Sequence, residues 1–230
     1  MDQMLAFVFE RVVPGLNHGL WISIQLIVPS ALLGLAMGIV VGSLRVYGPT
    51  WVIRTANGYV ALFRGTPLVV QLFFWYFALP YITIGDLRIV LSPVGASILG
   101  FTLCSAAYHS EYIRGGLLSI RKGQIKAAQA LGMSPFKTVV HVVLPQAVRR
   151  ALPGSGNEII YLIKYSSLAS IITVNELTGV GRGIAKSTWK NTEVFLVVGI
   201  YYLALVTLAT FILNRVESRL SLPGFEYKKS

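Results

Sequence analysis

The sequence predicts an all-α membrane protein of five transmembrane helices, with the N-terminus outside and the C-terminus in the cytoplasm. Composition is the first ground. Hydrophobic residues make up 54% of the 230 residues and charged residues 13%, about half of the ~25% that solvates a soluble domain. Mean hydropathy is +0.67. The second ground is a succession of charge-free stretches near the ~20 apolar residues that a spanning helix needs. The third is an unequal division of basic residues between alternate connections.

The elements follow in order. The first span, 12–44, rests on Val12 to Leu44, which contains no Asp, Glu, Lys or Arg. It is too long for the ~7–15 residue apolar core of a signal peptide and lacks a basic start. The second, 57–80, draws on the charge-free run Gly65 to Gly85, and the third, 89–112, on Ile89 to Ser110, which includes Pro93. The fourth, 155–175, covers Ile159 to Asn175, interrupted by Lys164 alone and extended backwards by Glu158 and Gly154-Ser155-Gly156. The fifth, 193–215, covers Val194 to Asn214. Residues 1–230 thus read as one membrane domain, with 114–153 as its one substantial hydrophilic loop.

Orientation comes from the bases. Arg45, Arg54 and Arg64, then Arg114, Arg121, Lys122, Lys126, Lys137, Arg149 and Arg150, then Arg215, Arg219, Lys228 and Lys229 fall on one side, fourteen in all, against five on the other. That bias places the C-terminus inside. The net charge of +11 therefore points to lipid headgroups and topology, not to nucleic acid.

The 114–153 loop is too long for a turn. Gly123 to Leu131 reads as a short helix of Ala, Gln, Lys and Leu, and Gly132 suits the left-handed position that ends one. Phe136, Val139, Val140, Val143 and Leu144 then recur at helical spacing over Pro135 to Arg150.

Catalytic chemistry has no foothold. His18, His109 and His141 fall in different elements, no Cys/His spacing suits a metal, and Cys104, the one cysteine, excludes a disulfide scaffold. Gly179-Val180-Gly181-Arg182-Gly183 with Lys186-Ser187 fails as a phosphate loop, because Ala185 stands where glycine must precede the lysine.

Lys126-Ala127-Ala128, three residues, Gly132, nine residues, then Val142-Val143-Leu144-Pro145 resembles the EAA loop of ATP-binding-cassette importer permeases, with Lys126 in place of Glu and Val142 in place of Ile. Arg64-Gly65-Thr66-Pro67-Leu68 with Gln71-Leu72-Phe73-Phe74 is similar to the second span of the polar amino-acid permeases. So are Tyr108, Glu111 and Arg114-Gly115-Gly116 leading to Gly123-Gln124, then Leu144-Pro145-Gln146-Ala147, Asn157-Glu158, and Lys164 with Ser167-Leu168; Tyr165-Ser166 departs from the Asp-Thr common there.

The resemblance implies a type I importer permease fold with a cytoplasmic coupling helix, in the bacterial cytoplasmic membrane. It implies ATPase subunits that dock on the loop and hold ATP and Mg, so that this chain has no cofactor and is not itself an enzyme. It further implies a second permease subunit, the same or related, and an extracytoplasmic solute-binding protein. The coupling residues would be Gly123, Gln124, Lys126, Ala127, Ala128, Gly132, Leu144 and Pro145. Small Ala127 and Ala128 would allow close docking.

Lys164, ten residues beyond Gly154, is expected about 15 Å into its helix and near mid-bilayer. An ionisable residue there serves either the path or an inter-helix pair. On the path it would receive a substrate carboxylate and favour acidic or neutral over cationic solutes, with Ser167 and Ser170 close by. Ser166, Ser167 and Ser170 have the alternative of bonding their own backbone. Arg64, Glu111, Asn157 and Glu158 are structural or gating candidates: Glu111 meets Arg114 at i,i+3, and Asn157 and Glu158 open the fourth helix. The alternative function is a self-contained homodimeric channel or proton-coupled carrier with Lys164, Glu158 or Glu111 as relay. The full loop spacing and the lack of an inverted repeat oppose it.

Overall fold

The computed structural model describes residues 2–84 and 87–220. The expected charges Lys228 and Lys229, and the end of the run at Gly85, lie outside the described residues. Among the described residues the regular structure is helical save for a ribbon of two two-residue strands, β1 (Thr83–Ile84) antiparallel to β2 (Leu87–Arg88).

α1 (Asp2–Phe7) passes through a π-helical segment, Val8–Val12, into α2 (Val13–Tyr47). Gln3–Tyr47 is one apolar helix of 45 residues, about 68 Å at ~1.5 Å per residue and so longer at both ends than the expected span. Two further π segments occur, Phe74–Ala78 and Val139–Val143. Each of the three ends two residues before a proline: Pro14, Pro80 and Pro145. Proline has no N–H and crowds the carbonyl four residues back. Widening the preceding turn to an i→i−5 bond, as from Leu144 N–H to Val139 O, makes room without ending the helix.

The expected second span is broken. α3 (Thr50–Gly65) and α4 (Leu68–Phe73), with its continuation to Tyr81, meet at 104°. Pro67 holds Thr66 in extended backbone (φ −118°, ψ 144°), as a residue before proline prefers. The Gln71 amide then donates to Phe63 O (2.9 Å), Thr66 O (3.1 Å) and Thr66 Oγ1 (2.9 Å). It satisfies carbonyls that the end of α3 leaves without helical partners.

α5 (Pro93–Leu118) is capped by Ser92, whose Oγ accepts from Gly95 N–H at 3.1 Å. It replaces the expected 89–112 and runs a turn and a half further. It is also the central element: Phe101, Ala106, Ala107, His109, Ser110 and Ile113 are all buried. Against it lies an α2 face with Ser30, Gly34, Gly38 and Gly42 buried at every fourth position. A Cβ added at Gly34 would lie 3.1 Å from Ser105 Cβ, one at Gly42 would lie 2.9 Å from Ile113 Cβ, and one at Gly38 would collide with His109 Cβ. Small residues at this spacing bring two helix backbones together in a membrane.

α6 (Lys122–Ala130) and α7 (Pro135–Thr138) form the hydrophilic loop, and the π segment after α7 leads into α8 (Leu144–Tyr165). α8 does not start at 155. It passes through Pro153, and Gly154 is needed for contact, not for a turn: a Cβ there would strike the Tyr112 ring. A 3₁₀ segment, Ser166–Ile172, replaces the last turns of the expected fourth span. α9 (Leu177–Thr188) packs beside α2, and α10 (Asn191–Leu220) covers both, with Val12, Leu16, Leu177, Ala185, Val194 and Val198 forming one core cluster.

Among the described residues, two helices are long and apolar enough to cross a bilayer, Gln3–Tyr47 and Asn191–Leu220, or three if the bent α3–α4 pair is one span. α5 fails that test because its buried face carries Ser97, Thr102, Ser105, His109 and Ser110, which face protein instead of lipid.

Candidate functional site

The first group of residues is the hydrophilic loop. α6 ends in a Schellman turn: Gly132 N–H donates to Gln129 O at 2.9 Å, and Met133 N–H to Ala128 O at 3.2 Å. Gly132 takes φ +83°, which costs an L-residue with a Cβ about 1–2 kcal/mol. Ser134 Oγ then caps α7 by accepting from Lys137 N–H at 3.3 Å. The result is a helix–turn–helix with an outer surface of Gly123, Gln124, Lys126, Ala127 and Gly132. Ala128 points the other way and is buried. The two alanines therefore divide the work expected of both: Ala128 lets α6 lie close on its own loop, and Ala127 faces outward. At the tip, Leu131 is 85% exposed and Phe136 76%. Leu144 and Pro145 lie at the start of α8, where the second arm of the loop becomes the long helix. Arg150 ties the base by donating to Ser119 O (2.6 Å) and Ser119 Oγ (2.8 Å).

The second group surrounds Glu111. Its Oε1 pairs with Arg45 at 2.9 Å and Arg64 at 3.0 Å, and its Oε2 with Arg114 at 3.0 Å. Arg45 also donates to Asn57 Oδ1 (2.7 Å) and Ser110 Oγ (3.2 Å). The Arg64 guanidinium lies over the Tyr108 ring at 5.1 Å. Arg64 and Glu111, forty-seven positions apart in the chain, are thus brought into contact.

The third group follows α8. Asn157 and Glu158 do not open a helix; they lie past the middle of α8, with Asn157 exposed and Glu158 buried. Lys164 is next to the last residue of that helix, not midway along it. It is exposed, and its Nζ lies 5.2 Å from the Tyr161 ring centroid. A base in a last turn is favoured by the helix dipole. Ser166, Ser167 and Ser170 each donate to a carbonyl three residues back, at 2.7, 2.7 and 2.8 Å, and Ser170 Oγ accepts from Arg182 at 2.8 Å.

One functional-looking residue had no sequence expectation. Glu176 is fully buried and caps α9 by accepting from Thr178 N–H (3.0 Å) and Gly179 N–H (2.9 Å), with Tyr202 OH donating at 2.8 Å. Its signal is an acid between an apolar run and a glycine-rich helix. Among the described residues no cluster of three His, Cys, Asp or Glu is arranged to hold a metal.

A helical membrane chain whose polar groups brace helices, and whose loop projects a capped helix–turn–helix, belongs to the class of transport permeases. The chain belongs to the family described as binding-protein-dependent transport system inner membrane component, which matches residues 34–222. It is 39% identical over 215 residues to the glutamine transport system permease protein of Escherichia coli (strain K12), covering 92% of this chain and 93% of that one. It is 41% identical over 197 residues to the nopaline transport system permease protein of Agrobacterium fabrum (strain C58), covering 81% and 78%. It is 36% identical over 208 residues to the arginine transport system permease protein of Bacillus subtilis (strain 168), covering 90% and 93%.

Among solved structures, that of an amino acid ABC transporter with histidines superposes with TM-score 0.81 at 27% identity, over 92% of this chain and 96% of that one. The inward-facing MetNI methionine ABC transporter shares the fold, with TM-score 0.74 at 24% identity over 90% and 96%. The fold is that of ABC importer permeases, and the relatives above are permease proteins of transport systems.

Proposed function

We propose that this chain is the membrane path of an importer that moves a polar amino acid inward across the bacterial cytoplasmic membrane. In this reading residues 1–230 form one domain of five spans with the N-terminus outside. Separate ATPase subunits, carrying ATP and Mg, dock on the 114–153 loop. A second permease subunit, the same or related, completes the path, and an extracytoplasmic binding protein delivers the solute. The observation that carries this is the helix–turn–helix, on which Leu131 and Phe136 hold large apolar side chains in the open. Exposed apolar tips on a rigid frame are what a groove on a partner would cover. Lys126, where the family pattern has Glu, is exposed beside them and suits an acidic partner surface.

Lys164 is the proposed path residue, with Ser167 and Ser170 behind it. Relatives are named for glutamine, nopaline and arginine, so solute choice differs between family members on a shared frame. The test is uptake of labelled amino acids into proteoliposomes holding the permease, its ATPase and its binding protein. Uptake is expected to require ATP and to be indifferent to an imposed proton gradient. Uptake driven by that gradient without ATP would establish the self-contained carrier instead. In the same assay Lys164→Met is expected to leave assembly and thermal stability intact while lowering uptake about tenfold, roughly 1.4 kcal/mol. Unchanged uptake removes Lys164 from the path.

A further inference from the structure

The ion pairs among the described residues all end on one carboxylate, and the three arginines come from three helices, α2, α3 and α5. Arg45 is in the last turn of α2. Arg64 is in the last turn of α3, two residues before the Thr66–Pro67 break. Arg114 is on α5 near its end, and a short link, Ser119–Arg121, separates that end from α6. We infer that Glu111 is a positioning residue for transport, the joint that holds the root of the coupling loop, the end of the first long helix and the hinge of the broken helix pair as one moving unit. The inference rests on the coupling-loop reading above.

The geometry favours a joint over a simple pair. Each carboxylate oxygen is used, Oε1 twice and Oε2 once, at 2.9–3.0 Å. The Arg45 side chain is only 8% exposed and has further fixed partners in Asn57 and Ser110, so α2, α3 and α5 meet at one guanidinium. Arg64 holds α5 twice, through Glu111 and through the Tyr108 ring. The elements leading away are tied by side-chain hydrogen bonds. Gln71 fastens the carbonyls at the α3–α4 break, and Arg150 fastens Ser119 at the loop's root. A displacement of α6 would pass through the link Ser119–Arg121 to Arg114, and through Glu111 to the break. Removing the one negative charge leaves three guanidinium groups gathered without a counter-charge, and like charges at partly shielded sites repel.

The direct test needs no ATPase. Spin labels at Gly65→Cys and Gly123→Cys, both places where an added Cβ meets nothing within 4 Å, report the hinge and the coupling helix in nanodiscs, with buried Cys104 replaced by alanine. Double electron–electron resonance is expected to give one narrow distance for the parent. Glu111→Gln should broaden it about twofold or split it, Arg64→Met should do the same, and Glu111→Asp should keep it narrow. In the assembled transporter, Glu111→Gln should retain ATP hydrolysis while uptake per ATP falls about tenfold, within the ~5–150-fold range of an ordinary coupling; Glu111→Asp should recover most of it. Unchanged distances in both neutral variants overturn the joint. So does a loss of thermal stability with uptake per ATP unchanged, which assigns Glu111 to structure alone. Failure of the loop to engage an ATPase would instead overturn the coupling reading and leave the spin-label result standing.

Discussion

Gly132→Pro is expected to reduce ATP-driven uptake to background while the protein still inserts in the membrane. Proline holds φ near −65°, whereas Gly132 sits at +83°, and the variant loses the N–H that donates to Gln129 O. The Schellman turn cannot form, so α6 and α7 lose their fixed angle and the exposed tip loses its shape. Gly132→Asn is the control: asparagine tolerates the left-handed region and should retain most uptake. Ala128→Trp should fail as well, but from the inside. Ala128 is 6% exposed, so an indole there pushes α6 off its own loop. Uptake and solute-stimulated ATP hydrolysis in proteoliposomes measure both. Normal coupling in Gly132→Pro and Ala128→Trp would remove the loop from the mechanism.

Gly38→Leu is expected to cost more stability than leucine at Gly34 or Gly42, where an added Cβ has its nearest neighbour at 3.1 and 2.9 Å. Its Cβ alone collides with His109 Cβ, so α2 and α5 must part along a seam that also closes at Gly34 and Gly42. Overpacking of this kind costs about 1–3 kcal/mol, a fall in Tm of roughly 2–12 °C for a chain of this size. Gly58→Ala, on α3 with nothing within 4 Å of the new Cβ, should hold or raise Tm. A thermal-shift measurement in detergent separates them, and equal Tm values would refute the close seam.

Local chemistry was legible in the sequence. The alanine-rich stretch before Gly132 is α6 within a residue at each end, because propensity and a left-handed glycine act over a few residues. The i,i+3 contact of Glu111 with Arg114 is present for the same reason. What long apolar runs concealed was packing. Along Val13–Tyr47 the side chains are apolar on every face, so hydrophobic periodicity is silent about which face meets α5. The readable signal was the smallness of Gly34, Gly38 and Gly42 at every fourth position. Breaks misled in both directions. Pro67 bends its helix pair because the extended Thr66 finds a cap in Gln71. Pro153 and Gly154 pass inside α8 because Gly154 serves contact with Tyr112. That error displaced Asn157, Glu158 and Lys164 along their helix. The cluster at Glu111 could be read only in part, since Arg45 and Arg64 reach it through tertiary folding.

The claim that this permease is driven from its 114–153 loop is tested most directly at Leu131, which is 85% exposed at the tip. A benzophenone amino acid placed there and irradiated in native membranes is expected to give one dominant covalent product with an ATPase subunit, lost in Gly132→Pro. Products with lipid or with a second copy of this chain, and none with an ATPase, would contradict the account.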